Sequence, residues 1–434
     1  MKMLIKNGHL LDPASGINGV RDLLIENDRI KTISTHIKKS QQVRVVDASG
    51  LVVCPGFIDM HVHLREPGFE NKENIESGSR SAVRGGFTSI VCMPNTSPVN
   101  DQRSVTEYII ARSKEVGLVN IHPVAAISRN LEGHSITEMA DLVEGGAVGF
   151  SDDGSCVMSA DLIRKALEYA KMCDVPIIEH PEDHSISADG QVNEGFISYK
   201  YGLRGILNAA EEVIVARDII LQGRIQSRLH LTHVSTAGSL DLIRNAKRKG
   251  TQVTADATPH HLLLNEELIT GFDTVYKVKP PLRTETDRLA LVKGIQDGTI
   301  DCIATDHAPH TRDEKDKEFE FAPFGMIGME SAFPVIHDRL VRTGAIDLSR
   351  LVELFSNRPA RILKLNDRGS LRPGFTADIT VLNLEQPFRI DPDTFYSRAN
   401  NCPFRGWKGL GDIEYTLVGG RVVYQRGKGC LRGV

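Results

Sequence analysis

The stretch Leu51-Val-Val-Cys-Pro-Gly-Phe-Ile-Asp-Met-His-Val-His-Leu-Arg-Glu-Pro-Gly68 decides the fold. Its apolar run, Leu51 to Ile58, leads directly into chemically capable residues, as a buried strand ending at a site would. On a strand, side chains two apart point the same way, so His61 and His63 present two imidazoles to one point, which is how a metal ion is gripped. Arg65, two further on, adds a cation to the same face, suited to holding an anionic substrate beside the metal. Taken in isolation, the segment is also compatible with a strand end whose two histidines are merely packed or solvated.

The theme recurs through the middle of the chain. Short apolar runs at Val52 to Ile58, Ser89 to Met93, Ile121 to Ile127, Ala147 to Phe150, Pro176 to Ile178, Leu229 to Leu231, Gln252 to Thr254 and Ile300 to Ala304 each precede polar residues. Stretches between them, such as Ala160 to Met172, Glu211 to Leu221 and Ser239 to Arg248, carry helical apolar spacing. Eight such units predict an α/β fold, a parallel (β/α)8 barrel spanning 55–367. The alternative, an open doubly wound sheet, lacks its G-x-G-x-x-G turn after the first strand. Barrel chemistry gathers at the C-terminal strand ends. Here those ends carry His61 and His63, Asn95, Asp152 and Asp153, His180, His233, and Asp306 with His307.

Both termini read differently. Residues 1–54 and 368–434 alternate short apolar runs with turns such as Asn7-Gly8 and Gly419-Gly420, which predicts one small β-sandwich domain assembled from the two ends. With 434 residues, 41% hydrophobic, 25% charged and a net charge of -4, the chain has no bulk attraction to nucleic acid or to acidic membranes. Seven scattered cysteines without a C-x-x-C pair suggest buried thiols in a reducing compartment. Neither a signal-peptide core nor a run of membrane-spanning length is evident, so the expectation is a soluble, cytoplasmic protein.

Four imidazoles and at least two carboxylates meeting at a barrel mouth suit zinc or another divalent first-row ion. They exceed what one catalytic ion needs, and two metals sharing a bridging carboxylate is the natural solution.

The motif at 59–68, with Met93-Pro-Asn-Thr96, Phe150-Ser-Asp-Asp-Gly154, Pro280-Pro-Leu-Arg283 and Ala304-Thr-Asp-His-Ala-Pro-His310, resembles the amidohydrolase superfamily, and within it the dihydroorotases of the long bacterial class. The resemblance covers essentially the whole chain. It implies two Zn2+ per chain: one held by His61, His63 and Asp306, the other by His180 and His233, with Asp153 bridging them. It implies reversible hydrolysis of a cyclic amide, dihydroorotate to N-carbamoyl-aspartate in pyrimidine synthesis, with a metal-bridging hydroxide as nucleophile and Asp306 as general base and then acid. Substrate contacts are expected at His63, Arg65, Asn95 and His310, and at the backbone of Phe324 and Gly325. Dihydropyrimidinases, hydantoinases and allantoinases typically place a carboxylated lysine at the bridging position, where this chain has Asp153.

One departure stands out: the family usually has asparagine before Pro-Pro-Leu-Arg, and here it is Lys279. The charged stretch 311–325 reads either as a lid over the substrate or as solvated surface. His122, His134, His184, His230, His260 and His261 read as structural. Rival readings are a neutral-ring cyclic amidase and a silent scaffold subunit for aspartate transcarbamoylase. A small-molecule substrate and a homodimer are the expected partners, with transcarbamoylase association as a further option.

Overall fold

Gly56 divides the apolar run that opens the barrel. The structure, a computed structural model, describes residues 2–39 and 43–431. Val52–Pro55 pairs parallel with Lys2–Asp12 and antiparallel with Ile379–Arg389, whereas Phe57–Val62 pairs parallel with Phe87–Cys92. One expected strand, Val52 to Ile58, is therefore two strands in two sheets. Gly56 marks the passage: its amide donates to the Asp378 carbonyl at 2.9 Å, and a Cβ there would lie 2.2 Å from Thr88 Oγ1. Only glycine fits where the Thr88 side chain packs directly against the backbone.

From Phe57 the chain builds eight parallel staves. Phe57–Val62, Phe87–Cys92 and Asn120–Pro123 form one run; Ile177–Glu179, Leu229–Leu231, Val253–Ala257 and Cys302–Ile303 form another. The fourth stave, expected at 147–150, is reduced to bridges of Phe150 with Ala125 on one side and Ile177 on the other. Closure comes from the Val62–His307 bridge, where the His63 amide donates to the His307 carbonyl at 2.9 Å. Helices such as Ala160–Cys173, Ala209–Ile225 and Ala237–Arg248 return the chain between staves. Ala160–Cys173 starts at the Ser159 cap and buries Leu162, Ile163, Ala166, Leu167 and Ala170 along one stripe. Each of its large aliphatic side chains contributes roughly 1.5–3 kcal/mol on burial.

The first stave carries a local irregularity with consequences for the site. Between Asp59 and Val62 the register slips, three steps on this strand matching two, Ile90 to Cys92, on its neighbour. Met60 packs with Ile58, Val91, Met93, Ile178 and Cys302, residues drawn from staves around the barrel and so filling its lumen; Val62 packs outside among the helix-facing residues. Strict alternation would have sent His61 outward and Val62 inward. The bulge reverses this and turns His61 and His63 to the lumen, with ring centroids 5.2 Å apart.

The terminal strands form one nine-stranded sheet, joining Lys2–Asp12, Ile17–Glu26, Arg29–Ser34, Arg44–Asp47 and Val52–Pro55 to Ile379–Arg389, Lys408–Val418, Arg421–Gln425 and Gly429–Cys430. Its distant strands share a core of Met3, Leu23, Ile30, Val53, Leu417 and Val422, so the sheet curls over itself as a sandwich does. Among the described residues no helix is long and apolar enough to cross a membrane.

Candidate metal centre

Six side chains from five strand ends, Asp153 among them, converge at the barrel mouth. Asp153 Oδ1 lies 3.3 Å from His61 Nε2, 3.6 Å from His180 Nδ1 and 3.7 Å from His233 Nε2; its Oδ2 lies 3.5 Å from His63 Nε2. Asp306 Oδ1 stands 3.2 Å from His63 Nε2 and 3.5 Å from His61 Nε2. Two sets within ligand reach of a common centre result, His61 with His63 and Asp306, and His61 with Asp153 and His233. All six residues are buried.

The nitrogens that do not face the centre show how the rings are held. His61 Nδ1 donates to Thr232 Oγ1 at 2.7 Å, His63 Nδ1 to Asn95 Oδ1 at 2.9 Å and His180 Nε2 to Glu182 Oε2 at 3.0 Å. Each bond leaves the other nitrogen as a lone-pair donor directed inward. His61 Nε2 has no hydrogen-bond partner although it is fully buried, and His180 Nδ1 lies 2.9 Å from His233 Nε2, a separation that needs a proton or cation between them. An orphaned buried imidazole nitrogen among carboxylates fits a metal site.

Electrostatics point the same way. Burial opposes charge at His61, yet Asp153 and Asp306 raise it to about 9; burial likewise opposes charge at His180, which Asp153 and Glu182 raise to about 10. Against the same cost of burial, the histidines hold Asp153 and Asp306 well below the carboxylate range. A site that draws protons this strongly draws divalent cations by the same charges.

Backbone strain concentrates here. Arg65, His233 and Asp306 have φ of 62°, 38° and 48°, in the left-handed region that non-glycine residues enter at roughly 1–3 kcal/mol each. At His233 the cost is offset by its amide, which donates to Asp256 Oδ1 at 2.7 Å.

At the mouth, Arg65 Nη2 lies 3.4 Å from His310 Nε2 and its Nε donates to the Pro309 carbonyl at 3.3 Å. Among the described residues no carboxylate lies within ion-pair distance of Arg65. His310, pushed down to about 3 by burial and then by Arg65, is a neutral imidazole that donates to the Phe324 carbonyl at 2.9 Å. Asn95 donates its Nδ2 to Asp153 Oδ2 at 3.4 Å while accepting from His63, so it braces both. The Gly325 amide donates to the Lys277 carbonyl at 2.9 Å, and its carbonyl accepts from Asn401 and Lys315. Segment 311–325 is tied to the preceding loop: Lys277 Nζ donates to the Phe319 and Glu320 carbonyls and Thr274 Oγ1 to the Lys315 carbonyl, while within the segment Lys315 Nζ donates to the carbonyls of Pro323 and Gly325.

Sequence reading missed Thr232, Asp256 and Glu182. Asp256 accepts from Thr232 Oγ1 and from the His233 amide, and Glu182 accepts from His180; each fixes a histidine without facing the centre. The Thr-His pair at 232–233 and the Glu two places after His180 were the available signals. His230, Asp256 and Cys302 also cluster one layer below the centre. There His230 Nε2 lies 2.8 Å from Asp256 Oδ2 and its Nδ1 2.9 Å from Thr254 Oγ1, so its donors are already used.

Barrel, curled terminal sheet and a histidine–aspartate constellation at the strand ends define a metal-dependent amidohydrolase, a hydrolase acting on cyclic amides. Residues 50–239 match the Dihydro-orotase-like family model and 329–424 the Amidohydrolase family model. Dihydroorotase of Syntrophus aciditrophicus (strain SB) is 50% identical over 426 residues, covering 98% of this chain and 100% of the relative; that of Geobacter metallireducens is 48% identical with the same coverage. L-hydantoinase (dihydropyrimidinase) from Arthrobacter aurescens superposes with a TM-score of 0.89 at 26% identity, over 99% of this chain and 97% of that one. Dihydropyrimidinase from Brevibacillus agri NCHU1002 shares the fold, with a TM-score of 0.85 at 24% identity over 99% and 96%. The chain belongs to the dihydroorotase family.

Proposed function

We propose that this chain interconverts (S)-dihydroorotate and N-carbamoyl-L-aspartate, a step of pyrimidine synthesis leading to UMP in the cytoplasm, using two zinc ions. His61, His63 and Asp306 would hold one ion, His180 and His233 the other, with Asp153 between them. When bound, the ions supply an acidified water at neutral pH and polarise the ring carbonyl.

The chain's own residues do the rest. Asp306, 3.2 Å from His63, takes the proton of the attacking water and passes it to the ring nitrogen as the C–N bond breaks. In the synthetic direction the steps reverse: as the carbamoyl nitrogen closes onto the carboxyl carbon, Asp306 takes the nitrogen's proton and delivers it to the departing carboxyl oxygen, which leaves as water. Arg65 meets the carboxylate that distinguishes dihydroorotate from neutral cyclic amides, with His310 and Asn95 as neutral partners. Phe324 and Gly325 border the ring, and the segment that carries them is anchored from outside by Lys277 and Thr274.

What supports this reading is the half-buried Arg65 guanidinium, with no carboxylate in ion-pair reach among the described residues, beside six buried histidine and aspartate side chains of which Asp153 lies 3.3 to 3.7 Å from four imidazoles. A neutral-ring amidase has no use for that cation, and a silent scaffold has none for six intact ligands. Zinc content per chain, measured on the sample assayed for dihydroorotate hydrolysis and N-carbamoyl-aspartate cyclisation, tests it. Near two zinc with turnover in both directions supports it; a metal-loaded protein active on dihydrouracil or hydantoin but not on dihydroorotate overturns the substrate. We further propose a homodimer, checked by sedimentation with and without an aspartate transcarbamoylase.

A further inference from the structure

Glu182 follows His180 by two residues, is 6% exposed, and divides its carboxylate between two partners. Its Oε2 accepts from His180 Nε2 at 3.0 Å, and its Oε1 lies 2.7 Å from Lys279 Nζ. The Lys279 ammonium also sits 5.3 Å from the centre of the Phe324 ring. One lysine thus joins the loop behind His180 to the segment that carries Phe324.

The geometry has a definite mechanical meaning. An imidazole ligates through Nδ1 only when the proton is on Nε2 and the ring is turned correctly, and an acceptor at Nε2 sets both. A glutamate carboxylate held at one oxygen still rotates about its terminal bonds. A second contact at the other oxygen, from a cation on a different loop, fixes its plane. Without Lys279, the side chains left within ion-pair distance of Glu182 are the imidazoles of His180 at 3.0 Å and of His184 at 4.0 Å, with the Arg283 guanidinium farther off, and a buried carboxylate so poorly compensated turns toward water.

We propose that Lys279 is a positioning residue for the second metal position: through Glu182 it holds His180 with Nδ1 directed at Asp153. The inference rests on the proposed role of His180 as a ligand. Lys279 is not among the metal-ligand candidates; it acts on the second metal position through Glu182, and it also meets the Phe324 ring.

The test is zinc titration of the metal-free full chain against a chromophoric chelator, for wild type, Lys279→Met, Lys279→Arg, Glu182→Ala and the Lys279→Met/Glu182→Ala double variant, with thermal melts of each. Wild type should take two zinc ions in two steps. Lys279→Met should weaken one step by roughly 10–100-fold and leave the other unchanged, the range for loss of a residue that orients a ligand. Lys279→Arg should restore most of that loss. Glu182→Ala should weaken the same step, and adding Lys279→Met to it should cost nothing more, because the lysine then has nothing to hold. Wild-type affinity in Lys279→Met, an equal lysine effect with and without Glu182, or failure of arginine to rescue a variant that melts normally would each overturn the proposal. The readout does not depend on turnover. Two zinc steps with the expected lysine dependence but no action on dihydroorotate reject the proposed substrate and leave Lys279 in place, whereas a wild type that takes one zinc overturns the second metal position and the role of Lys279 with it, whatever its action on dihydroorotate.

Discussion

Two histidine–aspartate clusters lie one above the other in the same barrel, and they differ in what remains unpaired. In the upper one, around Asp153, His61 Nε2 is buried without a partner and two imidazole nitrogens face each other at 2.9 Å. In the lower one, around Asp256, His230 is bonded at both nitrogens and Asp256 accepts at both oxygens. Each brings histidine and aspartate together within ligand reach. Unsatisfied donors, rather than proximity, separate a site built for an ion from a network that is already complete. The lower cluster is the foundation of the upper: Thr232 bonds His61 above and Asp256 below.

The contrast can be broken most forcefully at Asp306. Asp306→Asn should reduce turnover by roughly 10²–10⁴-fold, as for loss of an acid–base group; turnover within tenfold of wild type would remove Asp306 from proton transfer. Next comes Asp256→Asn, which disturbs the foundation without removing a ligand. Its expected cost is roughly 10–100-fold in zinc affinity, read by chelator competition; unchanged affinity would uncouple the two layers. Arg65→Met should raise KM for dihydroorotate by roughly tenfold or more, the loss of a charged hydrogen bond at about 1.5–3 kcal/mol, with zinc content unaltered. Equal loss of both would make Arg65 a support for the centre.

A smaller effect concerns pH. His61 and His180 stand at about 9 and about 10 in the metal-free fold, burial being outweighed by the carboxylates, against an ordinary 6.5. Their protonation therefore stabilises the metal-free protein fully below about pH 6.5, and that stabilisation is lost as pH rises through 9 to 10. Melting temperatures of chelator-treated protein should fall across that window while those of zinc-loaded protein do not; parallel curves would mean that the histidines do not bind the ions. Smallest of all, Cys302→Ser should leave zinc content at the wild-type value and shift stability by about 1 kcal/mol. A drop in zinc would make the lower cluster a metal site after all.

Much of the architecture was legible because it is written in local pattern. Apolar runs that end in histidine or aspartate mark staves whose C-terminal ends meet, and the six candidate ligands fall at such ends. The parts that escaped depend on partners remote in sequence. Nothing in Leu51 to Ile58 announces that Gly56 hands the chain from one sheet to another, since the reason is Thr88 pressed against it. The bulge that turns His61 inward is a register slip against Ile90 and Cys92, invisible in the strand itself. The fourth stave is weak because a single residue, Phe150, makes its bridges. Glu182 takes its meaning from His180 on one side and from Lys279, nearly a hundred residues on, on the other.

The split at Gly56 also sets a timetable for synthesis. Val52–Pro55 finds one neighbour early, in Lys2–Asp12, but the other, Ile379–Arg389, leaves the ribosome much later; Cys54 and Thr380 are 326 residues apart. At about 5–20 residues per second that interval lasts roughly 16–65 s. Throughout it, a short valine-rich edge stands open to any other strand in reach, an invitation to mispairing. Truncations upstream of Ile379, which leave that edge open for good, should therefore aggregate rather than yield a free barrel.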